Sequence, residues 1–349
     1  MDFSFFFFAD NADRSDGYEL LLTAARFADA NDFSAVWTPE RHFHSFGGQY
    51  PNPAVTGAAL AAVTERVGIR AGSVVAPLHH PIRIAEEWSV VDNLSRGRVG
   101  VSFASGWNKV DFVVRPEAYA DRKQIMIDTA ETVQRLWRGD EVKFPDTDGG
   151  QSAVRLFPRP VQAELPIWIT AAGSPETFRA AGRLGAGVLT HQLGQSHDAL
   201  AGNIAMYRSA LAAAHGEGSR GHVALMLHTL IGTDRERVRE GVRDPLTAYL
   251  HSSIDLTARD TVGRKPGEYD LSQLSARDKQ FIIDRAFERY FTTAGLFGTV
   301  DDGIEVVRRL TAIGVDEIAC LIDFGVAPEE VLRSLRHLGE LRLRTAQLR

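Results

Sequence analysis

Residues 69–107 read IRAGSVVAPLHHPIRIAEEWSVVDNLSRGRVGVSFASGW. An apolar run over 67–75 gives way to a helical run over 81–94, and a second apolar run follows over 98–104. Pro81 suits the first turn of a helix, where a missing N–H has no partner to lose. The two apolar runs are nearly continuous rather than alternating, as strands of a parallel sheet are when both their faces are covered. The stretch therefore predicts a strand–helix–strand unit.

The same alternation runs outward in both directions. Further strands are expected over 3–8, 35–38, 167–170, 187–190, 223–231 and 317–322. Helices are expected over 17–31, 117–138, 175–184, 198–215, 235–251, 301–313 and 328–341. In the first of these, Leu20, Leu21, Ala24, Phe27 and Ala28 share one face. Ser174 and Asp301 stand where N-caps belong, and Gly314 where a helix stops. Eight strands, each followed by helix, predict a single (β/α)8 TIM barrel over 1–349. An open doubly wound sheet is the alternative, but no composition break divides the chain. The segment 252–278 is polar and without period, and predicts an insertion between the last two strands that would serve as a lid.

Composition narrows the function. Of 349 residues, 39 are Lys or Arg and 45 are Asp or Glu, a net charge of −6 with no basic stripe, so nucleic acid is not an expected partner. The single cysteine, Cys320, leaves no internal disulfide and no multi-cysteine metal site. The apolar opening at 3–8 is too short for a membrane span or a signal-peptide core, so a cytoplasmic protein is expected, and a free-standing one because no carrier segment follows Arg349.

A barrel carries its site at the C-terminal ends of its strands. The densest run there is WTPERHFHSFGG over 37–48. Gly173-Ser174 opening a helix, with Thr177 one turn in, is a natural anion seat, because the unpaired N–H groups and the positive helix end face outward. Ser105-Gly106-Trp107 offers small residues on which a flat ligand can lie. His42-x-His44, with His191, His228 and Asp323 at later strand ends, also sketches a metallohydrolase, but the other ligands of such a site are missing, and no metal is expected.

Four segments, WTPERHFHSFGGQYPNP, residues 69–107, LPIWITAAGSPETFRAAG and GVDEIACLIDFG, resemble the bacterial luciferase-like flavin monooxygenase superfamily. Within it they are most similar to the MupA-like, FMN-dependent branch of natural-product pathways. The resemblance implies a two-component monooxygenase and a homodimer. Reduced FMN would come from a separate flavin reductase, O2 would be the co-substrate, and a small-molecule or carrier-tethered intermediate would be oxygenated by hydroxylation or Baeyer–Villiger insertion. Gly173, Ser174 and Thr177 match the phosphate segment, Ser105 and Gly106 the segment beside the flavin, and Thr190 and His191 the ring-lining position. Gly72-Ser73 matches a position that often carries a non-prolyl cis peptide.

Two departures matter. True luciferases read Glu-His-His-Phe where this chain has Glu40-Arg41-His42-Phe43, so the base role of the first histidine does not carry over to Arg41. Arg41 would instead hold an anionic or peroxide oxygen, and His42 or His44 would handle protons. Ala104 replaces the luciferase cysteine, which argues against light emission. The alternatives are an F420-dependent oxidoreductase of the same fold and a non-catalytic flavin-binding protein.

Overall fold

The computed structural model describes residues 1–8, 17–45, 47–260 and 275–346. The eight barrel strands are β1 (Asp2–Phe6), β2 (Ala35–Thr38), β3 (Gly68–Val75), β4 (Val99–Ala104), β7 (Ile167–Ala171), β8 (Gly187–His191), β9 (Val223–Ile231) and β11 (Glu317–Leu321). All are parallel, and β8 pairs with β9, β9 with β11 and β11 with β1, which closes the ring. The expected barrel is thus the observed one. A short antiparallel hairpin, β5 (Val142–Pro145) with β6 (Gln151–Val154), stands apart, and β10 (Leu296–Gly298) extends the sheet beside the end of β9.

The helices around the barrel are α1 (Gly17–Ala30), α2 (Pro53–Val63), α3 (Pro81–Ser95), α4 (Arg122–Arg138), α5 (Pro175–Leu184), α6 (His197–His215), α7 (Arg235–Asp260), α8 (Ala276–Arg289), α9 (Val300–Ala312) and α10 (Pro328–Ala346). Two of them are additions to the sequence reading. The run PAVTGAALAAV of α2 is apolar all round, so it has no amphipathic period to read; the Asn52 side chain starts it by accepting from Ala54 N at 2.8 Å and Val55 N at 3.2 Å. The boundaries of the expected insertion also move. Helix α7 continues to Asp260 because nothing in 252–260 breaks it, and α8 resumes at Ala276. The rest of the expected lid, 261–274, lies outside the described residues, as do Asp10 and Asn11 after the first strand.

Inside the N-terminal half of the barrel the packing is closed. Glu317 is fully buried and takes hydrogen bonds from Ser4 Oγ, from Trp37 Nε1 at 3.0 Å and from Arg70 Nη1 at 2.7 Å. The Arg70 guanidinium lies between the Trp37 and Trp168 rings, 4.9 and 4.7 Å from their centroids. Burial pushes the Glu317 carboxyl up, but the charges of Arg70 and His222 and the Ser4 hydroxyl prevail and hold it below the ordinary range. Cys320 is buried in β11, and burial pushes its thiol up to about 12, so it serves as a small core residue.

Candidate active site

The opposite, C-terminal end of the barrel opens into a cavity of about 640 Å³. Its floor is made of small groups. Gly72 and Ser73 on β3 are joined by a cis peptide, and a side chain at Gly72 would sit 2.6 Å from the Phe6 ring. Ser73 Oγ hydrogen-bonds Thr170 Oγ1, which also meets Ser102 Oγ at 2.7 Å. Gly106 has a left-handed backbone (φ 72°), and a Cβ there would lie 2.9 Å from both Phe112 and Val75. Ser105 and Gly106 line the cavity beside Trp107.

The β7–α5 junction forms one wall. Ser174 and Thr177 line the cavity, while Gly173 stands just behind, its carbonyl accepting from Asn203 Nδ2 at 3.3 Å. Ser174 occupies the N-cap position of α5, but its side chain makes no capping bond. The caps of α2, α6 and α9 differ: Asn52, Ser196 and Thr299 each spend a side-chain oxygen on their helix. Asp121 before α4 likewise makes no capping bond, but among the described α-helix caps Ser174 is the uncommitted one that lines the cavity. Arg122 and Lys123, at the start of α4, line the same cavity. Arg122 follows β4, the barrel neighbour of β7, and its buried Nε has no hydrogen-bond partner.

Thr190 and His191 end β8 on the cavity wall. The Thr190 hydroxyl donates to Ala171 O at 2.7 Å. His191 Nδ1 accepts from Leu193 N at 3.1 Å, so Nε2 carries the proton of the neutral ring. Burial pushes His191 down to about 4, which keeps it neutral at physiological pH.

The β2 loop departs from simple strand alternation, because β2 ends at Thr38. Glu40 and Arg41 reach the cavity wall; His42 and His44 do not. Glu40 is buried, and its carboxylate meets His42 Nε2 at 2.9 Å, His79 Nε2 at 2.6 Å and Val75 N at 2.7 Å. Burial opposes its charge, but these three donors prevail and hold it below the ordinary range; His79 is raised in turn, since Glu40 outweighs its own burial. Arg41 is only 3% exposed, and none of its three guanidinium nitrogens has a hydrogen-bond partner. Its neighbours are the Trp107 ring, 4.7 Å from the guanidinium carbon, and the Asp111 carboxylate at 3.8 Å.

Several wall residues lie outside the sequence-derived set: Asp111 from the loop after β4, Arg122 and Lys123 from α4, Tyr249 from α7 and Tyr290 just past α8. Strand-end reasoning does not reach them, because each comes from a helix or an irregular loop. Among the described residues no group of three or more His, Cys, Asp or Glu side chains is placed to hold a metal ion. No described helix is long and apolar enough to cross a membrane.

A parallel barrel with a polar-floored cavity at its C-terminal end, walled by aromatic side chains and an uncommitted helix start, describes a class of small-molecule enzyme. The sequence matches the luciferase-like monooxygenase family over residues 1–317, and the chain belongs to that family, a flavin-dependent class of monooxygenase. Among curated proteins it is 24% identical over 343 residues to the oxygenase component of flavin-dependent trigonelline monooxygenase from Acinetobacter baylyi, covering 95% of this chain and 90% of the relative. It is 28% identical over 299 residues to 4-hydroxyprotoasukamycin monooxygenase from Streptomyces nodosus subsp. asukaensis, covering 82% and 75%. Among solved structures, monooxygenase RslO1 from Streptomyces bottropensis superposes with a TM-score of 0.79 at 24% identity, covering 99% and 100% of the two chains. The oxygenating constituent of 3,6-diketocamphane monooxygenase from Pseudomonas putida, a type II Baeyer–Villiger monooxygenase in complex with FMN, gives 0.75 at 16%, covering 97% of each. An F420-dependent secondary alcohol dehydrogenase shares the fold at 0.72 and 17%, covering 98% of each, so the fold by itself does not choose the flavin.

Proposed function

We propose that the protein is the oxygenase half of a two-component system: it takes reduced FMN from a separate flavin reductase and uses O2 to oxygenate a small natural-product intermediate. The observation that carries the FMN reading is the Ser174 hydroxyl, left uncommitted at a helix start on the cavity wall. A helix N-terminus with a free hydroxyl suits one phosphate, and Arg122 with Lys123 adds positive charge from the adjacent barrel unit. In this reading Gly173, Ser174 and Thr177 hold the phosphate. Gly72, Ser73, Ser105 and Gly106 let the ring lie close, and Thr190 and His191 face its edge. Bound reduced FMN supplies the electrons that activate O2.

The remaining work falls to the chain. Phe6, Phe8, Trp107 and Tyr249 give the cavity an apolar lining that excludes water from the reacting atoms. Arg41 holds an anionic oxygen. His42 handles protons through Glu40, which bridges it to the cavity, and His44 is the second candidate in the same loop. The naming of the trigonelline enzyme as an oxygenase component supports the separate reductase, and the asukamycin-related enzyme supports a natural-product substrate. Hydroxylation and Baeyer–Villiger insertion both fit this cavity.

Anaerobic titration with photoreduced FMN, photoreduced riboflavin and a reduced deazaflavin tests the reading. FMN should bind best, and Ser174→Asp should weaken FMN by about a hundredfold while changing riboflavin little, because it sets a carboxylate against the phosphate. Equal losses for FMN and riboflavin, or a preference for the deazaflavin, would overturn it.

A further inference from the structure

We propose that Arg41 is the substrate's anion clamp, and that the substrate is an apolar organic acid whose carboxylate pairs with this guanidinium. The inference rests on the reading of the cavity as a flavin and substrate chamber, and names the class of molecule its second half receives.

A guanidinium carries five N–H donors that no other group can neutralise by taking a proton. Burying it without acceptors is costly, yet Arg41 is 3% exposed and none of its nitrogens is hydrogen-bonded. What surrounds it fixes its position without satisfying it. The Trp107 ring lies 4.7 Å from the guanidinium carbon and offers its face but no acceptor for the enclosed N–H groups. Asp111 stands off at 3.8 Å, and its other oxygen is taken by Asn108 Nδ2 at 2.8 Å. A planar carboxylate brought against these nitrogens would supply two parallel charge-assisted hydrogen bonds.

The flavin phosphate is a poor candidate for this position. Its proposed seat follows β7, three strands round the barrel from β2, which carries Arg41. The other unpartnered polar atoms of the substrate half, His228 Nε2 and Tyr290 Oη, belong to neutral groups. Burial, with His191 nearby, pushes His228 down to about 3, and burial raises Tyr290. Arg41 is therefore the full positive charge on that side among the described residues, and the walls beside it, Phe8, Trp107 and Tyr249, are aromatic.

The test uses acid–amide pairs of matched shape: benzoate with benzamide, 2-naphthoate with 2-naphthamide, and nonanoate with nonanamide. Each is titrated into the protein by calorimetry in the presence of FMN. For at least one pair the acid should bind about tenfold or more tightly than the amide. That ratio should fall to near one in Arg41→Met and survive in part in Arg41→Lys, while both variants keep wild-type FMN affinity. No acid preference in the wild type, or a preference that persists in Arg41→Met, overturns the inference. Loss of FMN affinity in Arg41→Met would assign Arg41 to the phosphate and also overturn it. Failure of the wild type to bind FMN at all would instead sink the flavin reading, whatever the acid–amide ratio.

Discussion

Two arginines in one barrel, Arg70 half-buried and Arg41 buried, have opposite fates. Arg70, in the N-terminal half, donates to a buried carboxylate at 2.7 Å and is clasped between two tryptophans. Arg41, at the C-terminal mouth, has one tryptophan, a carboxylate at 3.8 Å and no hydrogen bond. The ingredients are the same: an arginine, an acid and indole rings. The difference is completion. Around Arg70 the protein supplies the partners itself, so the charge serves the fold. Around Arg41 the set is left incomplete beside a cavity, so the charge awaits a ligand. A barrel divides its labour this way, with stability at the bottom and chemistry at the top.

The sharpest way to break the contrast is Glu317→Ala. It removes the carboxylate that Arg70, Ser4 and Trp37 share, leaving Trp37 only its bond to Ser4, and should cost about 3–5 kcal/mol in urea-denaturation stability. A loss below about 1 kcal/mol would mean the lower network does not hold the barrel. Gly72→Ala comes next. Its Cβ would run into the Phe6 ring at 2.6 Å and meet Trp37 Cβ at 3.2 Å, and overpacking of this kind costs about 1–3 kcal/mol. It should lower thermal stability and flavin affinity together; unchanged flavin binding would argue against a ring lying over this floor.

The Glu40–His79 pair gives a smaller, pH-dependent effect of about 1 kcal/mol. His79 is raised above its ordinary 6.5, so its contribution is complete below that value and fades as pH rises through the raised one. Glu40 is lowered from 4.5, so its contribution is present above that value and fades as pH falls. The melting-temperature gap between wild type and His79→Gln should therefore be widest in mildly acidic buffer, between those two ordinary values, and narrow toward alkaline pH. A gap that is flat across the range would show the pair to be uncoupled. Smallest of all is the stability change expected for Arg41→Met. Since the buried guanidinium makes no hydrogen bond, its replacement by an apolar chain of similar volume should leave stability unchanged or raise it by up to about 1 kcal/mol. A loss like that of Glu317→Ala would erase the distinction between the two arginines.

The barrel was legible in the sequence because its strands are buried on both faces and read as unbroken apolar runs. The unit at 67–104 shows this best. Helix α2 was not legible, because a run apolar all round has no polar face to set a period, even where Val55 is exposed; α8 was missed within and just after a stretch whose polarity suggests a loop. At the site, the strand-end rule leads to Arg41, Ser105, Ser174 and His191, and the family resemblance to Ser73; the structure places all five on the cavity wall. It cannot tell which way side chains of the loop after β2 point, so it treats His42 and His44 like Arg41, although only Arg41 reaches the cavity. Tyr249 and Tyr290 come from helical segments far along the chain, and only the tertiary fold brings them to the mouth.

The central claim is that this cavity makes reduced FMN and O2 react in a protected chamber. Single-turnover stopped-flow measures it most directly: the protein loaded with photoreduced FMN is mixed with oxygenated buffer, and the return of oxidised-flavin absorbance is followed. Recovery that lags well behind the immediate loss of the reduced flavin, with hydrogen peroxide appearing only as slowly as the oxidised flavin, is the predicted result. Recovery at the rate of protein-free FMN, with no lag, would contradict the account.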